Sequence, residues 1–280
     1  MKNVNRNFLL LTLVFLSGLF TATYAQKSVM LKYNLKNGDK FVSTMAMDQE
    51  IDMQVQGQSM VINQDMNFEF NYSVTDVTAD SFNLHTTISA IKMNQKVMGM
   101  EINYDSKDTS TYNNPTVGTK ISDEMNKIIG QEIVTTNSVN GNVGSIDLGE
   151  LDKDNQVASN MKSSFSQAVY PGHKVKVGES WTNDITTNGI AEMQMHITYT
   201  LTKATRKQAF INVKGTIVSP DADAKLKGTL EGEMTVDRKT GWVTHSTFDQ
   251  DFDLQMEQQG MSFPASVSGT YEINSKKVKK

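Results

Sequence analysis

The sequence predicts a mainly β (α+β) fold: a long, strongly curved antiparallel sheet forming a half-barrel or barrel, with two helices packed against it. Three observations lead to this prediction: a period-two alternation of apolar and polar residues, runs of alternation too long for flat strands, and two segments with helical spacing. The alternation is clearest in residues 60–74, where even positions are mostly apolar and odd positions are mostly polar. Such a strand has one apolar and one solvated face, as in antiparallel sheets.

Further strands follow from the same alternation elsewhere in the chain. It recurs in residues 45–55, 193–201, 242–256 and 261–273, and over shorter runs in 82–88, 210–218 and 226–236. A strand over 59–75 would extend roughly 55 Å, whereas a compact domain of this size has a radius of gyration of only about 18 Å. Strands this long have to bend, so we expect the sheet to curl with its apolar face concave.

Two segments depart from the alternation and have helical spacing. In the first, Ser122 is an N-cap candidate and Gly130 is a stop signal. The second runs from about residue 150 to 169, with apolar side chains three and four residues apart and Tyr170-Pro171-Gly172 after it. We expect the second helix to cover the apolar face of the sheet, because an exposed face of that size has to be buried.

A short internal match raises the alternative of an internal duplication. Lys36–Phe41 (KNGDKF) resembles Lys176–Trp181 (KVGESW). If the duplication is real, the halves are 26–118 and 171–275, joined by the helical segment 119–170. Any two antiparallel meanders resemble each other over short stretches, so a single undivided domain over residues 26–275 stays equally open. The last residues, 276–280, form a basic tail that we expect to be frayed.

The first 25 residues, 1–25, have the pattern of a cleaved signal peptide. Lys2 and Arg6 precede the apolar run Phe8–Phe20, and Thr23-Tyr24-Ala25 places small residues at the −3 and −1 positions of a cleavage site. The apolar run is shorter than the about 20 residues that a membrane-spanning helix needs. We therefore expect an exported protein, periplasmic or extracellular, cleaved after Ala25 and with no transmembrane segment in the mature chain.

Composition excludes several functional classes. The chain has 280 residues, a net charge of −4, no Cys and 38% hydrophobic residues. The hydrophobic fraction is too high and the net charge too low for a disordered chain. Without Cys there is no disulfide scaffold, thiolate metal site, cysteine nucleophile or acylated N-terminal cysteine. The slightly acidic balance gives no reason to expect nucleic acid as a partner.

Sequence motifs for catalysis or metal binding are not found. The His residues have no neighbours at metal-ligand spacing, and no nucleophile elbow, phosphate loop or dinucleotide motif occurs. The sets Asp48/Glu50/Asp52 and Asp249/Asp251/Asp253 each place three carboxylates on one strand face. Like charges in that pattern are more typical of a solvated face than of a catalytic pair. We therefore predict no catalytic residues, no metal, no cofactor and no enzymatic activity.

Methionine is the most informative compositional bias, with 17 residues. Most of them fall on inferred apolar strand faces, where flexible, polarizable side chains suit a surface that adapts to apolar partners. One interpretation is a deformable groove for a lipid or another apolar ligand; the other is a methionine-filled core under the helices. The candidate ligand-binding residues are Met66, Phe68, Phe70, Met193, Met195, Phe248 and Phe252.

Three segments carry a resemblance to a known family. Leu31–Phe41 (LKYNLKNGDKF), Val175–Trp181 (VKVGESW) and Gly241-Trp242-Val243 resemble uncharacterised exported proteins of Bacteroidetes-type bacteria, a domain of unknown function. The resemblance supplies no catalytic residues. At the level of the fold, a curved antiparallel sheet with packed helices is similar to periplasmic lipoprotein-carrier folds, and this similarity implies a binding role by analogy only.

Two functions follow as hypotheses. The first is a non-enzymatic periplasmic or secreted binding protein that holds a hydrophobic or amphipathic ligand, such as a lipid, on the concave sheet face. The alternative is a structural or protein-interaction module of the cell envelope, with a filled core and an envelope protein as its partner. The interior discriminates between them, because an open cavity of several hundred Å³ favours a ligand site and a packed interior favours a scaffold.

Overall fold

The computed structural model describes residues 28–55, 57–108, 110, 118–149, 168–188, 192–219, 226–258 and 261–279. The predicted signal peptide, 1–25, lies outside the described residues, and so does the predicted second helix at 150–169 except for its last two residues.

Fourteen strands and one helix lie in the described ranges. In chain order they are β1 (Val29–Met30), β2 (Lys40–Val55), β3 (Gln58–Thr75), β4 (Ser81–Val97), β5 (Met100–Asp105), α1 (Gly118–Ile128), β6 (Glu132–Ser138), β7 (Val143–Asp147), β8 (Lys174–Val175), β9 (Ser180–Asn188), β10 (Glu192–Ala204), β11 (Gln208–Val218), β12 (Lys227–Asp237), β13 (Val243–Gln258) and β14 (Met261–Lys277). The prediction of a mainly β protein with long antiparallel strands is confirmed.

Twelve of the strands form one antiparallel sheet. Its order is β7-β6-β4-β3-β2-β14-β13-β12-β11-β10-β9, with β5 also paired to β4, while β1 and β8 form a separate pair. The predicted closure into a barrel is wrong, because β7 and β9 are edge strands and do not pair with each other. The first and last long strands, β2 and β14, instead meet in the middle of the sheet and join two meanders.

Contacts across the interior show that the open sheet is curved. The strands β4 and β9 are eight positions apart in the sheet order, which would separate them by about 38 Å in a flat sheet. Yet Phe82 of β4 lies 5.4 Å from the Tyr33 ring, and Tyr33 lies 5.2 Å from the Tyr170 ring. The residue next to Tyr170 accepts a 2.8 Å hydrogen bond from the indole of Trp181 on β9. Three short contacts thus bridge the width of the sheet, which is only consistent with a concave apolar face.

Two irregular segments, 31–35 and 168–170, close one end of this concave face, and we refer to them as the floor. Leu31, Tyr33 and Leu35 are buried and alternate with exposed residues. The Tyr33 N–H donates to the Val139 carbonyl, and the Tyr170 hydroxyl donates to the Gly241 carbonyl over 2.6 Å. The floor therefore connects turns from both halves of the sheet. These connections stabilise the curved form of the sheet, as pairing of its edge strands would in a closed barrel.

The helix α1 differs in its start from the prediction. It begins at Gly118, so Ser122 lies inside it and is buried rather than capping it. The predicted stop is confirmed, since the helix ends at Ile128 and Gly130 has a φ of +78°. Met125 and Ile128 pack against a small apolar cluster on β3, β4 and β5. Within the described ranges there is one helix, and the residues of the predicted second helix, 150–169, lie outside those ranges except for the last two.

The matching segments of the proposed duplication form the same turn. In both, the N–H of the first Lys faces the acidic side chain three residues on: Lys36 N to Asp39 Oδ2 is 3.2 Å, and Lys176 N to Glu179 Oε2 is 2.5 Å. The glycines, with φ of +78° and +90°, each donate an N–H to the second strand that follows. Equal geometry supports the local match, while the duplication itself stays a prediction.

The start of the basic tail is ordered rather than frayed. β14 extends to Lys277, and the N–H of Val278 donates to the Lys40 carbonyl. The ammonium of Lys277 lies 2.6 Å from the buried carboxylate of Asp39 and 5.7 Å from the centre of the Phe41 ring. A buried carboxylate needs a cation or hydrogen-bond donors, so the carboxylate of Asp39 fixes the end of β14.

Candidate functional site

The concave face of the sheet encloses a cavity of about 400 Å³ above the floor. Its walls come from β2, β3, β4 and all six strands from β9 to β14, with Ala168 contributed by the floor. The lining is mostly apolar and includes Met45, Phe70, Leu230 and Phe248. This volume lies within the usual range of small-molecule sites, about 300–1,000 Å³. The interior is therefore hollow above a packed base.

Trp242 forms the base of the cavity. Its ring stacks on Phe41 at 4.0 Å between centres and meets the edge of Tyr72 at 5.2 Å. The indole N–H donates to the Ser275 hydroxyl over 2.7 Å, and the Ser43 hydroxyl donates to the same oxygen over 2.7 Å. Because its one polar atom is satisfied, the indole can be buried without a desolvation cost. The polar contacts also bring β2 and β14 together below the cavity.

The opposite wall is a second aromatic pair. Trp181 of β9 and Tyr199 of β10 are cross-strand partners, and their rings stack at 5.6 Å. The Trp181 indole N–H donates to the Val169 carbonyl of the floor. An edge strand is the part of a sheet most easily detached, so this anchor keeps β9 folded over the cavity.

Two glycines of β12 let phenylalanines of the next strand approach closely, one at the cavity and one beyond it. Gly228 and Gly232 of β12 lie opposite Phe252 and Phe248 of β13. A β-carbon on either glycine would overlap the facing phenylalanine and its backbone. The ring of Phe248, which lines the cavity, therefore lies over the bare backbone of Gly232.

Two of the seven predicted ligand-binding residues line the cavity. Phe70 and Phe248 project into it from β3 and β13. Met195 is half-buried and packs against the main core cluster around the cavity.

The other four predicted residues lie on the same sheet face but outside the cavity. Met66 is buried in the small cluster next to α1, and Phe68 packs against that cluster. Met193 and Phe252 are half-buried further along β10 and β13. The alternation therefore identifies the correct face but not the position along each strand.

Several lining residues were missed by sequence reasoning. Met45, Tyr199 and Met234 belong to the recognised apolar alternation, so their face was predictable. The floor residue Ala168 falls in the predicted helix 150–169, which was expected to cover the apolar face, but it was not singled out as a lining residue. The serines Ser43 and Ser246 carry no signal of their own, because nothing local distinguishes them from surface residues.

The acidic sets lie on the opposite, outer face of the sheet. They occupy β2 and β13 and flank the Ser and Thr residues of β14, with Asp52 and Asp253 both paired to Ser266. A shallow outer depression of about 470 Å³ includes Asp52 and Asp253. Among the described residues, no group of three or more His, Asp or Glu side chains is placed to hold a metal ion. The acidic sets and the cavity are thus separate features of the molecule.

Burial raises the pKa of two tyrosines that line the cavity, Tyr72 and Tyr199, to about 12 each. Their folded pKa lies above the ordinary value near 10, so the folded state holds these protons more tightly than the unfolded chain. The stability contribution is complete below pH 10 and is lost as the pH rises from 10 through 12. Burial also raises the pKa of the floor residues Tyr33 and Tyr170.

We expect Tyr72 and Tyr199 each to lower the unfolding free energy by about 1.4 kcal/mol per pH unit between pH 10 and 12. Urea unfolding at pH 9 and pH 11 measures the fall, and tyrosinate absorbance is expected to rise together with unfolding. The double variant Tyr72→Phe/Tyr199→Phe should show a shallower fall. An equal slope in that variant would assign the alkaline loss to other groups.

No helix in the described part of the chain combines the length and the apolar character needed to cross a membrane.

The fold and the site define the structural class of the protein, which is an open, curved antiparallel sheet with an apolar cavity on its concave face. Residues 150–243 match a family of unknown function, DUF6263. No curated protein matches the chain.

Solved structures share parts of this architecture. The chain is similar to lipovitellin, in a structure concerned with lipid–protein interactions, with a TM-score of 0.51 and 9% identity over 86% of this chain and 25% of that chain. It therefore spans about a quarter of the lipovitellin chain, and at this identity the likeness shows the fold alone.

Two further structures cover most of both chains at low TM-scores. They are the translocator domain of the autotransporter NalP from Neisseria meningitidis and an outer membrane channel from Pseudomonas putida F1. For NalP the TM-score is 0.23 and the identity 7%, over 95% of this chain and 96% of that chain. For the channel the TM-score is 0.21 and the identity 6%, over 87% of this chain and 97% of that chain. At such TM-scores neither likeness carries an argument.

Proposed function

We propose that this protein is a non-enzymatic, exported binding protein that holds a hydrophobic or amphipathic ligand in the cavity of its concave sheet face. The observation that carries the proposal is the apolar cavity of about 400 Å³ between β4 and β9. A filled core would have favoured the alternative, a structural module. The lipovitellin fold likeness agrees with a lipid as ligand but supports it only by analogy.

The energetics of such a site come from burial. Covering about 300 Å² of apolar ligand surface contributes about 7 kcal/mol at 25 cal/mol per Å², and ordering costs reduce that value. The floor and the aromatic walls of the cavity are fixed by hydrogen bonds. A preformed site loses less of its binding energy to reorganisation.

A substitution at Met45 tests the proposal. Met45 is half-buried and lines the cavity, whereas its neighbour Ala46 is exposed on the outer face of the same strand. Met45→Trp places an indole in the cavity, and Ala46→Trp adds the same group outside it. We expect the wild type and Ala46→Trp to bind the uncharged dye N-phenyl-1-naphthylamine, and Met45→Trp to bind it at least tenfold more weakly.

Melting temperatures of both variants verify that they are folded. Fluorescence titration gives the affinities, and native mass spectrometry of protein purified from cells identifies lipid that co-purifies. Equal affinity of the two variants, or no binding by the wild type, would exclude the cavity as a ligand site. The envelope-module alternative would then be favoured, with the edge strands β7 and β9 as the surfaces to test by crosslinking.

A further inference from the structure

A row of amide side chains crosses the apolar concave face at one level. Gln64 of β3 pairs with Gln49 of β2 on one side and with Gln95 of β4 on the other. Directly paired residues in an antiparallel sheet project from the same face. Gly269 of β14 pairs with Gln49 on one side and with Gln250 of β13 on the other, so the row extends to Gln250.

The row continues to the other end of the curved sheet. Beyond Gln250 it passes Leu230, Gly215 and Ile197 and ends at Asn183 of β9. Leu230 and Ile197 both line the cavity, so the amides lie at the same level as its upper wall. The two glycines in the row carry no side chain.

The amides of this row are available for a ligand. Gln49, Gln95, Gln250 and Asn183 are half-buried, and in the described part of the chain their side chains make no hydrogen bond. Gln64 donates only to methionine sulfurs, at 2.7 and 3.9 Å, and sulfur is a weak acceptor. Five neutral amides on one face of the sheet therefore remain without a strong protein partner.

Apolar bands lie on both sides of the row. Toward the floor, the adjacent level includes Met47, Met66 and Phe248. Away from the floor, the adjacent level includes Ile51 and Phe252, on the same face. A polar row between two apolar bands matches a molecule whose polar part is central rather than terminal.

The charged residues on the concave face further restrict the chemical class of the ligand. Among the described inward positions of β2–β4 and β9–β14, the one charged residue is Lys277, which lies at the floor end and is paired with Asp39. A carboxylate or phosphate at the amide row would leave water without gaining a cation, at a cost of several kcal/mol. Ester and amide groups need only the neutral donors and acceptors that the row supplies.

We infer that the ligand is an uncharged lipid in which ester or amide linkages join apolar parts, as in a diacylglycerol, with those linkages at the amide row. The inference rests on the proposed binding function and adds the chemical class of the ligand. The apolar part nearer the floor occupies the cavity, and the other apolar part lies along the band that includes Ile51 and Phe252.

A matched pair of ligands tests the inference. 1,2-Dioctanoylglycerol and 1,2-dioctanoyl phosphatidate share their acyl chains and ester groups and differ in the phosphate. Both are titrated against the full chain with bound N-phenyl-1-naphthylamine. We expect the diacylglycerol to displace the dye at a concentration at least tenfold lower than the phosphatidate.

Substitutions in the amide row test whether it binds the ester groups of the lipid. Gln49→Leu/Gln64→Leu should weaken diacylglycerol binding about tenfold relative to dye binding, because the dye has no ester group for the amides to bind. Gln54→Leu, on the exposed face of β2, is the matched control and should behave as wild type. Gln64→Lys should move the preference toward the phosphatidate by supplying the missing cation.

The outcomes separate the two proposals. If the dye binds but the phosphatidate displaces it as well as the diacylglycerol, or if neither lipid displaces it, the uncharged-lipid inference is overturned and the binding function stands. If the leucine variant binds the diacylglycerol as tightly as the wild type does, the amide row does not bind the ester groups and the inference is overturned. If neither dye nor lipid binds, both proposals fail.

Discussion

Trp242→Ala is expected to lower the unfolding free energy by about 4 kcal/mol, within the usual range for removing a buried tryptophan. Trp242 is 3% exposed and is packed between Phe41, Tyr72 and the floor residue Tyr33. Its removal leaves a cavity and also deprives the Ser275 hydroxyl of one of its two donors. The floor and both meanders meet at this side chain, so no single element can move in to fill the space.

Urea unfolding followed by circular dichroism measures the loss. Trp242→Phe is the control, because the smaller ring keeps part of the stacking but loses the hydrogen bond, for a smaller expected cost of about 1–2 kcal/mol. If the alanine variant lost less than about 1 kcal/mol, the base of the cavity would have to be loosely packed. In that case the 400 Å³ cavity would not be a preformed site.

Gly241→Ala is expected to cost about 3 kcal/mol or more. Gly241 has a φ of +73°, and a β-carbon there would overlap the backbone carbonyl of Lys32 in the segment leading into Tyr33. The left-handed conformation alone costs a non-glycine residue about 1–2 kcal/mol, and the overlap forces the floor away from the β12–β13 turn. The Tyr170 hydroxyl bond to the Gly241 carbonyl is strained by the same movement.

Gly38→Ala is the matched control for this prediction. Gly38 has nearly the same φ, +78°, but a β-carbon at this position would have no atom of the rest of the fold within 4 Å. We expect the substitution to cost about 1–2 kcal/mol, the conformational part alone. Equal losses in the two variants, measured by urea unfolding, would show that the floor does not press against the β12–β13 turn.

The alternation predicted most of the strands, because each strand position is decided locally by whether its side chain faces water. The runs at 60–74 and 261–273 correspond to β3 and β14. The helix α1 was predicted with its start four residues late, since Ser122 has the local features of an N-cap but is buried inside the helix.

For the candidate site, the sequence predicted the face of the sheet but not the position along each strand. Phe70 and Phe248 line the cavity, whereas Met66 and Phe252, on the same face, do not. Position along a strand depends on register with strands that are distant in the chain, and no local pattern encodes it. The amide row shows this most clearly, because Gln49, Gln64 and Gln250 are unremarkable in sequence and align only through β2, β3, β13 and β14.

The amino-acid order by itself determined the strand content, the apolar and polar faces and the expectation of export, because these depend on residues near one another in the chain. The tertiary structure alone decided that the sheet stays open, that the segments 31–35 and 168–170 close its base, and that a cavity remains above them. The physical reason is that closure, register and empty volume are set by contacts between residues more than a hundred positions apart, such as Tyr33 with Ala168 and Tyr170.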